Sequence, residues 1–229
     1  MPHFVIDCSE DILNNIDIKT VLTNIKTSFK KYIFCPSRIK TNDSSFMIDT
    51  GQWKNNSLLL EAFKVFRDNK GSDDIGLVFI DKQGEGENVE QKEFKELISN
   101  YGLDNDVIWL TPQNPGGFTR YQLVSLYQEC FAVADDFGVG WFGSIALEGL
   151  ATGRPVFNFV DESAMSILYP WHPIISSNNA QRIAVEIEYL VSNEQAYKEL
   201  CERSRGWIEE FHSISSAKQK YSENFRQIG

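Results

Sequence analysis

Short apolar segments rich in β-branched and aromatic residues alternate along the chain with longer segments whose apolar residues recur at helical spacing. This alternation is typical of βαβ units and predicts a mainly parallel sheet with helices on both faces. The predicted strands cover residues 32–36, 75–80, 107–110, 130–134 and 156–160. The predicted helices cover residues 57–67, 90–101, 119–127 and 142–152, and the chain from about residue 179 onward is helical. We expect residues 1–229 to form one α/β, Rossmann-like domain of three layers.

Polar residues and a glycine mark the expected ends of these helices. Asn56 or Ser57 is suited to cap the first helix and Thr119 the third, because short oxygen-bearing side chains accept hydrogen bonds from a helix's first turn. Gly153, which is followed by Pro155, is expected to stop the fourth helix.

One long irregular stretch, residues 40–53, follows the first predicted strand. Loops of that length in a compact domain are usually functional or mobile. Ligands of open α/β sheets bind beyond the carboxyl ends of the strands, so this loop is placed to border a site. A floppy surface insertion is an equally good interpretation.

Charge and residue spacing narrow the class of protein. A formal net charge of -10 and a pI near 4.8 argue against a nucleic-acid partner, because binding to phosphate backbones relies on clustered Lys and Arg. The cysteines lie far apart with no C-x-x-C pair, and the histidines lack metal-binding spacing, so we predict a reducing compartment and no metal. There is neither an apolar stretch of membrane-spanning length nor a signal-peptide core, so we expect a cytoplasmic protein without a transmembrane segment.

The most informative segment runs from Gly140 to Val156. A predicted strand leads into a turn that contains Gly138, Gly140 and Gly143, and a helix follows. Glycines allow a backbone to approach a bulky anion, and the unpaired N–H groups at a helix start attract negative charge. The pattern predicts a diphosphate site, although many such turns serve only to pack a helix on a sheet.

This segment resembles the E-G-F-G-x-x-x-x-E-A-x-A-x-G-x-P-V motif of glycosyltransferase family 4, whose members are retaining enzymes of the GT-B fold. The residues in step with the motif are Trp141, Phe142, Gly143, Glu148, Ala151, Gly153, Pro155 and Val156. The resemblance implies that Glu148 binds the ribose hydroxyls of a nucleotide, which suits a carboxylate facing a vicinal diol. It places Gly140, Phe142, Gly143 and Ser144 at the donor diphosphate. An exposed helix residue is the alternative interpretation of Glu148.

The motif's first Glu, which contacts the donor sugar in the family, falls on Gly140. The nearest acids are Asp135 and Asp136 at the end of the preceding strand. They either substitute in part for the missing carboxylate, with Asp136 as a candidate catalytic residue, or cap a turn.

A second similar segment lies upstream, where Arg38 and Lys54 match the family's G-R-L…K-G pattern. The resemblance implies that these two cations meet the donor diphosphate. Asn55 replaces the usual glycine, and the 40–53 insertion separates the two cations more widely than in typical members. A surface arginine at a strand end is the alternative for Arg38.

Residues Thr111, Pro112 and Gln113 fall where the family frames the nucleobase. The resemblance runs from about residue 5 to about residue 221, as the C-terminal half of the two-domain GT-B architecture. It implies a hexosyl- or other glycosyltransferase of polysaccharide or glycan biosynthesis, without a cofactor, whose donor is a UDP- or GDP-sugar and whose acceptor is a glycan or another hydroxyl compound.

We expect the acceptor-binding domain to come from elsewhere in the same protein or complex. The alternative is a non-catalytic nucleotide-sugar-binding module that lacks the first motif Glu. A Rossmann-like protein for another ligand ranks last, and no G-x-G-x-x-G follows the first strand to favour a dinucleotide.

Overall fold

A computed structural model of the chain describes residues 16–69, 71–81, 89–112 and 117–218. Within these residues the strands are β1 (Lys31–Cys35), β2 (Ile75–Ile80), β3 (Val107–Leu110), β4 (Ala132–Ala134) and β5 (Val156–Phe157). The helices are α1 (Ile16–Ser28), α2 (Ser45–Asp49), α3 (Ser57–Asp68), α4 (Val89–Asn100), α5 (Arg120–Glu129), α6 (Ser144–Ala151), α7 (Glu162–Leu168), α8 (Ala180–Ser192) and α9 (Glu194–Phe211).

The strands form a parallel sheet in the order β3-β2-β1-β4-β5. Ile33 of β1 lies opposite Leu77 of β2 on one side and Ala132 of β4 on the other. After β1 the chain builds outward to β3 and then returns to place β4 on the other side of β1. The carboxyl ends of β1 and β4 therefore form a topological switch point, where ligands of such sheets bind.

Helices cover both faces of the sheet, and this explains the continuous apolar runs in the strands. All six residues of β2 are buried. Successive strand residues point to opposite faces. Ile33 packs in the core on the side of α3, α4 and α8, while Phe34 packs in the core on the side of α1, α5, α6 and α9. The prediction of an α/β, Rossmann-like fold with a parallel sheet is confirmed.

Two strand predictions are too long. The predicted strand 130–134 begins only at Ala132, because the N–H of Cys130 still donates to the Leu126 carbonyl at the end of α5. The predicted strand 156–160 ends at Phe157, because the next residues turn toward other partners. The N–H of Phe159 donates to the Asp136 carbonyl at 2.7 Å, which joins the exit of β5 to the exit of β4.

The predicted helices are confirmed to within two residues at each end, and their caps divide into two kinds. Thr119 caps α5 in a capping box with Gln122, as predicted. Asn56 occupies the cap position of α3 but makes no cap hydrogen bond. Its amide instead accepts from the Lys40 N–H at 2.7 Å and donates to the Ser37 hydroxyl at 3.2 Å. Asn56 therefore joins two loops rather than capping its helix.

The loop at 40–53 was expected to be irregular, but it contains the short helix α2. Glu90 of α4 holds its start: the carboxylate pairs with the Lys40 ammonium at 2.7 Å and accepts from the N–H groups of Thr41 and Asn42 at 3.1 Å each. The end of the loop contacts the turn after β4, where the Trp53 carbonyl lies 2.4 Å from the position that a Cβ on Gly138 would take. Only glycine allows this approach, and the loop borders the switch point.

Candidate functional site

Three charged side chains meet where the loops after β1 and β4 come together. The Lys54 ammonium lies 3.3 Å from Asp135 Oδ1 and 3.0 Å from Asp136 Oδ2. We call these three residues the Lys54 cluster. Two hydrogen bonds fix the backbone of Lys54: its N–H donates to the Lys40 carbonyl at 3.1 Å, and its carbonyl accepts from the Phe137 N–H at 2.9 Å. Hydrogen bonds thus fix the ammonium over the end of β4.

Burial and charge act against each other in the Lys54 cluster. The side chains of Asp135 and Asp136 are 2% and 7% exposed, and that of Lys54 is 22% exposed. Burial alone lowers the pKa of Lys54, but the attraction of the two carboxylates outweighs it, and the pKa lies above its usual value. Burial also raises the pKa of Asp135, against the attraction of Lys54. Lys54 therefore remains a cation at neutral pH.

Asp136 builds the turn that follows β4. Its Oδ1 accepts from the N–H groups of Gly138 and Val139 at 2.9 and 3.0 Å, while its Oδ2 contacts Lys54. The turn-capping alternative for Asp136 is confirmed. Asn158, a buried polar residue that the sequence interpretation overlooked, braces the same turn: its amide accepts from the Asp136 N–H at 3.2 Å and donates to the Trp141 carbonyl at 3.0 Å.

The helix start predicted for an anion is the N-terminus of α6. Gly143 is the cap residue and offers no side-chain acceptor, and Ser144 is exposed. The Asp135 carboxylate reaches this end: its Oδ2 lies 3.7 Å from the position that a Cβ on Gly143 would take, and the nearby Ala146 N–H acts to lower the pKa of Asp135. The Phe142 ring packs inward against Trp207 at 5.7 Å, so it belongs to the core. The helix start therefore presents backbone N–H groups with an anionic side chain beside them.

Gly140 has φ +79°, a conformation that L side chains rarely adopt. A Cβ there would lie 3.5 Å from the Phe159 ring and 3.8 Å from the Asp161 Cβ. The position where the family motif has its first Glu is thus held here by a glycine in a left-handed conformation. The expectation that Gly138, Gly140 and Gly143 all make room for an anion is corrected at Gly138, where the space is filled by the Trp53 backbone.

Glu148 lies one turn into α6 and is buried, so the exposed alternative is wrong. Its carboxylate forms an ion pair with Arg120, the first residue of α5, and its charge acts on the buried Tyr127 hydroxyl. Burial first, and then the nearby Glu148 charge, raise the pKa of Tyr127 above its usual value. Sequence reasoning missed Arg120, and the one available signal was a cation directly after the Thr119 cap.

The remaining predicted residues lie outside the Lys54 cluster and the surroundings of Glu148. Arg38 is exposed, three residues beyond the end of β1, and forms no ion pair with any residue that the structure describes. Thr111 and Pro112 follow β3, three strand spacings or about 14 Å from β4. Gln113 lies outside the described residues. The structure brings Lys54, Asp136, Gly143 and Glu148 to one edge of the sheet, with Thr111 and Pro112 farther along it.

None of the helices described here combines the length and apolar character needed to span a bilayer. Within the same residues, no three His, Cys, Asp or Glu side chains are grouped so that they hold a metal ion.

The sequence model for glycosyl transferases group 1 matches residues 40–207 of the chain. No curated protein sequence matches the chain significantly. Similar solved structures include a glycosyltransferase from Rickettsia africae ESF-5, with TM-score 0.67 and 18% identity over 95% of this chain and 54% of that one. Anabaena Alr3699/HepE in complex with UDP has TM-score 0.66 and 17% identity over 93% of this chain and 53% of its own.

The C-terminal domain of the group 1 family protein LpcC from Francisella tularensis has TM-score 0.60 and 19% identity over 85% of this chain and 92% of that domain. The chain thus spans about half the length of the Anabaena and Rickettsia proteins, at 53% and 54%, and nearly all of the Francisella domain. At these identities the structural likeness shows the fold, and the sequence match shows the family. The chain belongs to the glycosyl transferases group 1 family and has the Rossmann-like fold of one half of a GT-B glycosyltransferase.

Proposed function

We propose that this chain is the donor-binding half of a retaining glycosyltransferase that uses a nucleotide-diphospho-sugar and transfers the sugar to a glycan or another hydroxyl acceptor. The diphosphate binds at the N-terminus of α6 with Lys54 and Arg38, and Glu148 holds the ribose. A separate domain, in the same protein or in a complex, supplies the acceptor. The UDP bound to the Anabaena protein supports a nucleotide ligand at this fold.

The observation that carries the proposal is the buried position of Glu148 behind the open start of its own helix. Ser144 and Glu148 are one helical turn apart, so a rise of about 6 Å separates the first N–H groups of α6 from the carboxylate. A single nucleotide has polar groups at both ends of such a span. The helix start and the Glu148 carboxylate therefore lie within the reach of one nucleotide, and this spacing supports a binding function.

The site supplies charge stabilisation to the proposed reaction. As the bond between the sugar and the diphosphate breaks, negative charge grows on the leaving diphosphate. Once the donor is bound, the N–H groups of α6 and the cations Lys54 and Arg38 stabilise that charge. This contribution acts on the leaving group, so the isolated chain is expected to bind donor without efficient transfer.

Calorimetric titration with UDP, GDP and their sugar conjugates tests this function. One nucleotide is expected to bind saturably, and Glu148→Ala and Arg38→Ala are each expected to weaken it about tenfold or more. Lys30→Ala and Asp74→Ala are matched controls, since these two exposed residues pair with each other at the opposite edge of the sheet. If no nucleotide binds, or if the controls weaken binding as much as the site variants do, the proposal is wrong.

A second candidate function is a nucleotide-sugar-binding module without transferase activity. Gly140 favours it, because the family's Glu is missing and the backbone at φ +79° disfavours any side chain there. The two functions differ when an acceptor domain and donor are supplied together. Release of nucleoside diphosphate with glycosylated product supports the enzyme, whereas saturable donor binding without product supports the module.

A further inference from the structure

Asp135 contacts the same groups that the proposed diphosphate needs. Its carboxylate lies 3.3 Å from the Lys54 ammonium, and its Oδ2 lies 3.7 Å from the position that a Cβ on Gly143, the cap residue of α6, would take. The residue is held in this place by its backbone, whose carbonyl accepts from the Ser37 hydroxyl at 3.2 Å and whose N–H donates to the Phe157 carbonyl at 3.2 Å. A fixed anion therefore occupies part of the anion site.

The local charges work against a second anion. The Lys54 cluster contains one cation and two carboxylates, so it has a formal charge of one negative unit when all three ionise. The N-terminus of α6 contributes roughly half a positive charge, which offsets only part of this negative charge. Both carboxylates are almost fully buried, so water screens them little. An incoming diphosphate has to take Lys54 and the helix N–H groups from Asp135 or bind beside its charge.

Asp135 and Asp136 differ in what else they do. Both oxygens of Asp136 are used, one by the turn N–H groups of Gly138 and Val139 and one by Lys54. Removing the charge of Asp136 therefore also disturbs a turn. The Asp135 carboxylate contacts only the cation and the helix start among the partners that the structure describes. Asp135 is therefore the residue whose negative charge directly repels the proposed ligand.

This repulsion depends on the charge of the ligand, and donor and product differ in charge. In a nucleotide-diphospho-sugar each phosphate has one ionisable oxygen, for a total charge of about -2 at neutral pH. Release of the sugar leaves a terminal phosphate whose second ionisation has a pKa of about 6, so the free nucleoside diphosphate approaches -3. A nearby carboxylate therefore repels the product more than the donor.

We propose that Asp135 is a specificity-determining residue that disfavours the free nucleoside diphosphate relative to the nucleotide-diphospho-sugar and so promotes product release. This inference rests on the proposed function. It predicts that neutralising Asp135 tightens binding of both ligands and tightens the product more. A merely structural Asp135 predicts weaker binding of both ligands by a common factor.

The test is calorimetric titration of the whole chain and of Asp135→Asn with UDP, UDP-glucose and uridine at pH 8, or with GDP, GDP-mannose and guanosine if guanine is the base. Asparagine keeps the shape and one oxygen while removing the charge. We expect UDP to bind about tenfold more tightly to the variant, UDP-glucose to gain less, and uridine to be unchanged. Asp136→Asn is the matched control and is expected to change the ratio of UDP to UDP-glucose affinity less.

Equal changes for UDP and UDP-glucose, or weaker binding of UDP to Asp135→Asn, overturn the inference and leave the proposed function standing. If neither the unmodified chain nor the variant binds any nucleotide, the proposed function fails and the inference fails with it. If Asp135→Asn does not fold, as judged by circular dichroism, Asp135→Ser takes its place, because it removes the same charge with a smaller side chain. The same change in the ratio of UDP to UDP-glucose affinity is then expected of Asp135→Ser.

Discussion

The candidate site has two ends that neutralise a buried carboxylate in different ways. At the Asp135 end, Asp135 shares a single lysine with Asp136, and the lysine comes from a loop. At the Glu148 end, Glu148 pairs with Arg120, which is the first residue of a capped helix. The ion pairs of the described residues put two carboxylates on one cation at the first end and one carboxylate on one cation at the second.

This difference indicates how each end is expected to receive a ligand. The Glu148 end pairs its carboxylate with a cation and is built from two helices, so this end is formed before a ligand binds. The Asp135 end holds a negative charge where the proposed ligand has its own, so binding there requires Lys54 and the α6 N–H groups to change partners. We expect substitutions at the two ends to differ in how much they lower the free energy of unfolding and in how they change ligand binding.

The largest effect is expected when the shared lysine is removed. Lys54→Met leaves Asp135 and Asp136 side by side without a cation, and unpaired buried charges are strongly destabilising. We expect the free energy of unfolding to fall by about 3 kcal/mol in urea denaturation at pH 7. Adding Asp135→Asn to Lys54→Met should recover part of this loss. The exposed Lys30→Ala is the control, with an expected change of at most about 1 kcal/mol. A loss as small as the control's contradicts the shared-cation interpretation.

The next largest effect is expected at the Glu148 end. Arg120→Met leaves the Glu148 carboxylate, whose side chain is 6% exposed, without its cation, and we expect a loss of about 2 kcal/mol in the same assay. Glu148→Gln should cost less, because the Arg120 side chain is 44% exposed and water replaces the lost partner. The order of the two variants is the informative result. If Glu148→Gln costs more than Arg120→Met, the arginine does not stabilise the buried acid.

The sequence predicted the elements that frame these two ends but not their pairings. Periodicity located the strands and helices, and the glycine-rich segment located the start of α6. The ion pairs join residues that are far apart in sequence: Lys54 is 81 and 82 positions from its two carboxylates, and Arg120 is 28 positions from Glu148. Such contacts depend on the order of the strands, which the local pattern does not encode.

Local signals also failed where tertiary partners competed for the same group. Asn56 has the residue type and position of a helix cap, yet its amide binds Ser37 and Lys40 instead. Phe159 and Val160 have the apolar character of a strand, but the Phe159 N–H donates to the Asp136 carbonyl and the Val160 N–H donates to the Ser176 hydroxyl. Both failures lie at the carboxyl edge of the sheet, where the backbone serves the site rather than regular structure.

A smaller effect is expected from the cap that positions Arg120. Thr119→Ala removes the side-chain acceptor of the Gln122 N–H and with it the capping box, and we expect a loss of about 1 kcal/mol. Thr27→Ala is the matched control, because that hydroxyl bonds to a carbonyl within α1 and caps nothing. Urea denaturation of both variants measures the difference. Equal changes in the two variants are the outcome that contradicts a role for the cap.

The smallest effect concerns the pH dependence of the Asp135 end, where burial and Lys54 act in opposite directions. Burial raises the pKa of Asp135 above its ordinary value of 3.8, and the attraction of Lys54 offsets only part of the rise. The folded protein therefore binds this proton more tightly than the unfolded chain does. The resulting stabilisation is fully present below the ordinary pKa and is lost as the pH rises through the folded pKa.

The free energy of unfolding of the unmodified chain, minus that of Asp135→Asn, should therefore increase as the pH falls from neutral toward 4. Urea titrations of both proteins at several pH values measure this difference, and asparagine does not titrate. A difference that falls on acidification would mean that Lys54 and the α6 N–H stabilise the charged carboxylate more than burial destabilises it, so that Asp135 is a stabilising ion-pair partner at neutral pH.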